Sequence, residues 1–120
     1  MLNLDTHVFL FALAGELRRA EADLLRTEQW SMSAICLWEI AKLVEIGRVA
    51  LDLDDVEFVR AVSRVHIWPL TMEVCRAVRD LDFDSDPADE LIAATSLVHN
   101  VPLLTRDGKL RRSKVIPHAR

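Results

Sequence analysis

Leu2-Asn-Leu-Asp5-Thr6-His7-Val8-Phe9-Leu10-Phe11-Ala12-Leu13-Ala14 is the stretch on which the reading of this chain turns. Its first four residues read as a short strand ending on an acid. An apolar run from Val8 to Ala14 follows at once and has the character of a helix. The pattern then recurs. Gln29 to Met32 reads as a second strand, and Ser33 caps a helix that runs to about Ile46 and stops at Gly47. His66-Ile-Trp-Pro-Leu70 reads as a strand that Pro69 assigns to a sheet edge. Val101 to Thr105 and Val115-Ile116 supply two more. Helices are expected over Glu16 to Thr27, from Asp54 or Asp55 to about Arg64, from a Thr71 cap to about Leu81, from Asp86-Pro87 to about His99, and for a turn or two over Asp107 to Arg112. Short strands alternating with helices predict an α/β fold: a central parallel sheet flanked by helices on both faces, wound right-handed.

At 120 residues, 51% of them hydrophobic, the chain suits one domain spanning 1–120. No repeat, low-complexity stretch or Pro/Gly-rich linker divides it. The Val8–Ala14 run is far shorter than the ~20 residues a bilayer requires, and the start lacks a basic n-region. The expectation is a soluble, cytoplasmic protein with no membrane partner. Cys36 and Cys75 are in no CxxC pair and near no His at zinc-ligand spacing, so both are expected to be small buried core residues.

The net charge of −4 argues against nucleic acid, but its distribution points elsewhere. Asp80, Asp82, Asp84, Asp86, Asp89 and Glu90 crowd one segment, while Arg106, Lys109, Arg111, Arg112, Lys114 and Arg120 crowd another. An acidic centre beside a basic edge suits an enzyme that handles cations and phosphates together; it also suits an ordinary solvated surface.

Four acids stand out. In open α/β sheets ligands bind beyond the carboxyl ends of the strands. Asp5 ends the first strand, and Asp107 lies just past Leu103-Leu-Thr105. Asp5 is also placed to cap the following helix. Glu39 lies in the apolar helix Ala34-Ile-Cys-Leu-Trp-Glu-Ile-Ala-Lys-Leu-Val44 and is expected to be buried. That costs several kcal/mol without a partner, and an i,i+3 pair with Lys42 would return only a few tenths. Asp86-Pro-Ala-Asp89-Glu90 opens a helix, with Asp86 as N-cap, Pro87 at N1 and acids facing the helix dipole. Asp107-Gly108 reads equally as a turn or cap. Converging on one crevice, such oxygen ligands would favour a hard cation, Mg²⁺ or Mn²⁺.

Read together, Leu2-Asn-Leu-Asp5-Thr6-His7, Ser33-Ala-Ile-Cys-Leu-Trp-Glu39-Ile-Ala-Lys42, Asp86-Pro-Ala-Asp89-Glu-Leu-Ile-Ala-Ala94 and Leu103-Leu-Thr105-Arg-Asp107 resemble the motifs of the PIN-domain family, in particular its VapC-type toxins. The resemblance covers essentially the whole chain. It implies a metal-dependent endoribonuclease, the toxin of a type II toxin–antitoxin pair, commonly dimeric and silenced by a cognate antitoxin inserted into a groove. Asp5, Glu39, Asp89 and Asp107 match the family's acidic positions, and Thr105 matches its usual Ser/Thr. The third motif departs from the pattern: Ala88 stands where the family often has a bulky residue, and Glu90 where it often has Arg.

The resulting expectation is a Mg²⁺ or Mn²⁺ held by Asp5, Glu39 and Asp89. Asp107 completes the ring, Thr6, Thr105 and Asp86 give support, and Arg106, Lys109, Arg111 and Arg112 hold the RNA backbone. Phe9, Phe11, Leu13, Leu43, Val44, Ile46, Val49 and Leu51 are expected to form, in part, an apolar partner surface. Two rivals remain. An aspartyl-phosphate enzyme built on Asp5 would want a second Asp two residues on, where His7 stands. A catalytically inactive PIN-fold binding module would have no need to keep mutually repelling carboxylates together.

Overall fold

The computed structural model describes residues 1–120. Its sheet has four parallel strands, β1 (Leu2–Leu4), β2 (Trp30–Ser33), β3 (His66–Trp68) and β4 (Leu103–Leu104), in the order β3-β2-β1-β4. The helices are α1 (Thr6–Ala14), α2 (Arg19–Leu25), α3 (Ala34–Glu45), α4 (Val56–Ser63), α5 (Met72–Ala77), a 3₁₀ turn at Val78–Asp80, α6 (Pro87–His99) and α7 (Gly108–Arg111). From β1 the chain moves through β2 to β3 on one side. It then crosses back to lay β4 on the other side of β1. The connections therefore diverge between β1 and β4. This is the switch point at which open parallel sheets leave a crevice beyond the strand ends.

β1 is covered on both faces: Leu2, Asn3 and Leu4 are all buried, as a central parallel strand requires. Leu2 and Leu4 join a core with Val8, Phe9, Met32, Ile40, Ile92 and Leu103. Asn3 is fully buried, and its Nδ2 donates to the Ile92 carbonyl (3.2 Å) and to Ser96 Oγ (2.9 Å). This amide fixes the register of α6 against β1.

Helix boundaries follow local chemistry. Ser33 Oγ, Asp55 Oδ2 and Thr71 Oγ1 accept N–H groups at the starts of α3, α4 and α5. Gly47, just past α3, has φ 77°, which a residue with a Cβ adopts only at a cost. β3 is an edge strand, as Pro69 predicts.

Several expectations are corrected. α2 begins at Arg19 rather than Glu16, because Arg18 is extended and its N–H bonds the Glu21 carboxylate at 2.7 Å. Val115-Ile116 forms no strand: Asp82 accepts bonds from Ser113 Oγ (2.5 Å) and the Lys114 N–H (2.8 Å), turning the chain there. The sheet contact falls later, at the isolated bridge between Leu103 and His118. Cys36 is buried as expected, its thiol pushed up to about 12 by burial, but Cys75 is exposed. Phe9 belongs wholly to the core and to no partner surface.

Removing the Asn3 amide tests its place in this packing. Asn3→Ala leaves the Ile92 carbonyl and Ser96 hydroxyl without a buried donor. The expected loss of unfolding free energy in urea is about 1–3 kcal/mol; an unchanged midpoint would show that the bond adds nothing to stability.

Candidate active site

Asp5 occupies the N-cap position of α1, yet its side chain caps nothing. Oδ2 instead accepts a 2.6 Å hydrogen bond from the Thr105 hydroxyl, across the switch point between β1 and β4. Oδ1 is buried with no hydrogen-bond partner in the protein. The Thr105 oxygen in turn accepts the Asp107 N–H at 3.0 Å, so one hydroxyl orients the carboxylate and pins the turn after β4. Burial raises the Asp5 carboxyl above its ordinary range. The Thr105 bond and His7 oppose that rise, and the charge of Glu39 adds to it.

Glu39 sits half-buried on α3. Its Oε1 is buried without a partner, and the alternative of a pair with Lys42 is not realised, since Lys42 bonds Glu45 at 3.3 Å. Nor is α3 enclosed on all sides, because Leu37 and Trp38 are exposed. Asp89 lies in the first turn of α6, where its Oδ2 accepts the Ser85 hydroxyl at 3.0 Å. Its pKa is raised by burial, lowered by Ser85, and raised again by the charges of Asp5, Asp107 and Asp86. Glu90, the extra acid, has one oxygen taken by the Ser85 N–H at 3.2 Å.

Asp107 is exposed and does act as a cap: its Oδ1 accepts the N–H groups of Lys109 (2.8 Å) and Leu110 (3.1 Å) at the start of α7. Asp86 holds the N-cap position of α6 without a side-chain cap bond. The Thr6 hydroxyl is buried and unpartnered. Asp5, Glu39, Asp89, Asp107 and Asp86 thus share one electrostatic neighbourhood, built from β1, α3, α6 and the turn after β4. No three of the protein's His, Cys, Asp or Glu side chains stand close enough, as placed, to cage a metal ion. The acids gather at the carboxyl ends of β1 and β4. Two bare buried carboxylate oxygens and an all-oxygen donor set fit a hard divalent cation.

Arg106 departs from expectation. Its Nε and Nη2 donate to Glu21 Oε2 (2.8 Å) and Oε1 (2.7 Å), Nη2 also reaches the Glu16 carbonyl (3.1 Å), and the guanidinium lies 3.8 Å from the centre of the Phe11 ring. Arg106 is therefore a clamp tying α2 and α1 to the turn that carries Thr105 and Asp107, with Nε and Nη2 engaged in that role. Lys109, Arg111 and Arg112 are exposed and form no ion pair. The sequence reading missed Ser85 and Glu21. Ser85 stands four residues before Asp89, and Glu21 three after Arg18 at the start of α2, so each carried a weak positional signal.

A parallel α/β sheet with a cluster of carboxylates at its switch point defines the class, and residues 3–115 match the PIN domain. The chain belongs to the PIN-domain family. It is 30% identical over 115 residues to Ribonuclease VapC22 of Mycobacterium tuberculosis, covering 90% of this chain and 88% of that one. It shares its fold with a protein in the VapBC2 structure from Rickettsia felis bound to a DNA fragment from their promoter, at a TM-score of 0.71 and 16% identity over 99% and 98% of the two chains. A toxin–antitoxin complex from Klebsiella pneumoniae matches at a TM-score of 0.68 and 18% identity, over 93% and 91%.

The raised carboxyls at Asp5 and Asp89 fix a sign. A folded pKa above the unfolded one means that the native state holds more protons in that window, so this part of stability is present at low pH and falls as pH rises through the folded value. Glu21 and Asp82 are lowered, chiefly by bonds from Arg106 and from the Lys114 N–H, and act in the opposite sense. Comparing wild type with Asp5→Asn isolates the first effect. In EDTA the Tm advantage of Asp5→Asn should grow between about pH 4 and pH 7; a variant that loses ground as pH rises would overturn the assignment. Separately, Thr105→Val removes a buried bond at each of two partners and should cost about 1–3 kcal/mol in urea unfolding.

Proposed function

We propose that this chain is a metal-dependent endoribonuclease and the toxin of a type II toxin–antitoxin pair. The observation that carries the reading is the pair of bare buried oxygens, Asp5 Oδ1 and Glu39 Oε1, in a cluster of acids whose charges add to burial in raising the carboxyls of Asp5 and Asp89. Stranding two carboxylate oxygens in this way is unfavourable unless a cation is meant to meet them. Similarity to a ribonuclease and to toxin–antitoxin assemblies supports the same conclusion.

Asp5, Glu39 and Asp89 would hold Mg²⁺ or Mn²⁺, with the second Asp107 oxygen completing the ring. What such a cation supplies when bound is a lowered water pKa and neutralised phosphate charge. The remaining work belongs to the chain. Thr105 holds the Asp5 carboxylate in one orientation, and Ser85 does the same for Asp89. Lys109, Arg111 and Arg112, exposed beside Asp107, offer free cations to the RNA backbone without reading bases.

The antitoxin is assigned to a groove of about 640 Å³ between α1 and the chain beyond α3, lined by His7, Phe11, Leu13, Leu43, Val49 and Leu51 among others. Its apolar walls suit one face of an amphipathic helix. The same reading makes the toxin a homodimer, for which exposed Trp38, Val56, Val59 and Met72 supply apolar surface. No helix is long and apolar enough to cross a membrane.

The expected outcome is RNA cleavage in Mn²⁺ or Mg²⁺ that stops with EDTA and falls at least ~100-fold in Asp5→Asn or Glu39→Gln, as removal of a metal ligand entails. Added Mn²⁺ should raise the Tm of wild type but not of Asp5→Asn. An unmoved wild-type Tm and cleavage indifferent to EDTA would remove the basis for the assignment.

A further inference from the structure

The Arg106 clamp leaves a second, differently charged groove on the outer side of β4. About 320 Å³ in volume, it runs between α2, β4 and the segment after α7. Arg18, Arg111 and Arg120 project around it, with His118 and Thr105 in its wall. The three arginines are exposed, and none has an ion-pair partner. Glu21 is the one acid in the lining, and both its oxygens are bonded by Arg106. The groove thus sets three exposed arginines against one acid, Glu21, which feels the charge of Arg18 as well as Arg106, on a chain whose net charge is −4. Its floor is apolar, built from α2 and β4 side chains.

One residue links the groove to the acids: Thr105 lines it, and the Thr105 hydroxyl donates to Asp5. Arg111 in the lining and Asp107 lie at opposite ends of the short helix α7, so the arginines and the carboxylates are neighbours. A space of about 320 Å³ lies at the low end of ligand-sized sites, roughly 300–1,000 Å³. It accommodates a nucleotide of unpaired strand, not a helix. Single-strand sites combine a positively charged groove that tracks the backbone with side chains that meet the base faces, most often aromatic ones; here the arginines supply the charge, and leucine and alanine side chains supply the apolar contact.

Building on the nuclease reading, we infer that the α2–β4 groove holds the single-stranded RNA flanking the cut, with Arg18 and Arg111 on its phosphates. The backbone track then lies on the β4 side of Asp5. Arg18, exposed at the N-cap of α2, joins Arg111 on it, and Arg106 holds Glu21 in the wall.

The test is binding of a short fluorescein-labelled single-stranded RNA in EDTA, across a salt series, with folding followed by thermal melts. For Arg18→Ala/Arg111→Ala the expected affinity loss is roughly tenfold or more. The slope of log K against log salt should also fall by about 1.4, two phosphate contacts at about 0.7 each on single strands. Arg76→Ala/Arg79→Ala, two exposed arginines on another face, should leave affinity and slope unchanged, and a duplex of the same sequence should bind wild type more weakly. Equal losses in the two double variants, an unchanged slope in the first, or a preference for duplex would overturn the groove assignment. Wild-type cleavage in Mn²⁺ is read in parallel. If wild type cleaves while the Arg18/Arg111 variant binds normally, the groove is wrong and the nuclease stands. If wild type binds through the arginines but never cleaves, the groove stands and the nuclease is wrong.

Discussion

A carboxylate buried at the tip of the central strand, with one oxygen bonded and the other bare, is the constraint around which this chain is arranged. Asp5 cannot be relieved by solvent, and its own helix does not use it as a cap. The fold answers with one hydroxyl from the neighbouring strand. That bond exists only because β4 is laid beside β1 after the chain has turned away through β2 and β3. Topology, not local sequence, brings Thr105 to Asp5 from 100 residues away. Asn3, two residues earlier on the same strand, fixes α6 and with it Asp89. One three-residue strand thus sets the positions of acids from both distant motifs.

The charges are sorted by depth. Acids converge where burial and mutual repulsion raise the carboxyls of Asp5 and Asp89. Around them stands a layer in which charge is cancelled, Arg106 against Glu21 and the Asp82 carboxylate against the turn at Ser113 and Lys114. Uncompensated cations lie outermost. The cancelled layer matters: were Glu21 bare, it would repel phosphate at the mouth of the arginine groove, and were Arg106 free, it would offset the acids it now only positions.

Much of this was legible in the chain. Periodicity and caps located every helix to within a few residues, and Pro69 placed β3 at the edge, because these features are set by residues close in sequence. Asp5, Asp89 and Asp107 stood out because they fall at strand ends and in a helix first turn, where a parallel sheet opens, and Glu39 because a carboxylate in an apolar helix is costly without a partner. What could not be read was the partner of each polar group. Arg106 looks like a phosphate ligand in Thr105-Arg-Asp107, and only the fold supplies Glu21, Glu16 and Phe11 around it. Val115-Ile116 has strand character, but Asp82 bends the chain there from 31 and 32 residues away. Lys42 is spaced to pair with Glu39 and pairs with Glu45 instead, so the bare Glu39 oxygen emerged only from the geometry.

α1 connects these features mechanically. Asp5 and Thr6 lie at its start, facing the crevice, while His7, Leu10 and Phe11 line the apolar groove on its flank. His7 belongs to both: it helps wall the groove, and its charge opposes the rise of the Asp5 carboxyl. Phe11 belongs to two places as well, lining that groove and lying beneath the Arg106 guanidinium that holds the turn of Thr105 and Asp107. An occupant of the apolar groove therefore lies against a helix whose N-cap residue carries one carboxylate and whose second turn, through Phe11, supports the Arg106 that holds the turn of another. A packed core transmits displacement of such a helix rather than absorbing it, because it holds few voids into which side chains can relax. The acidic cluster and the groove are accordingly carried by one helix, α1, with His7 between them.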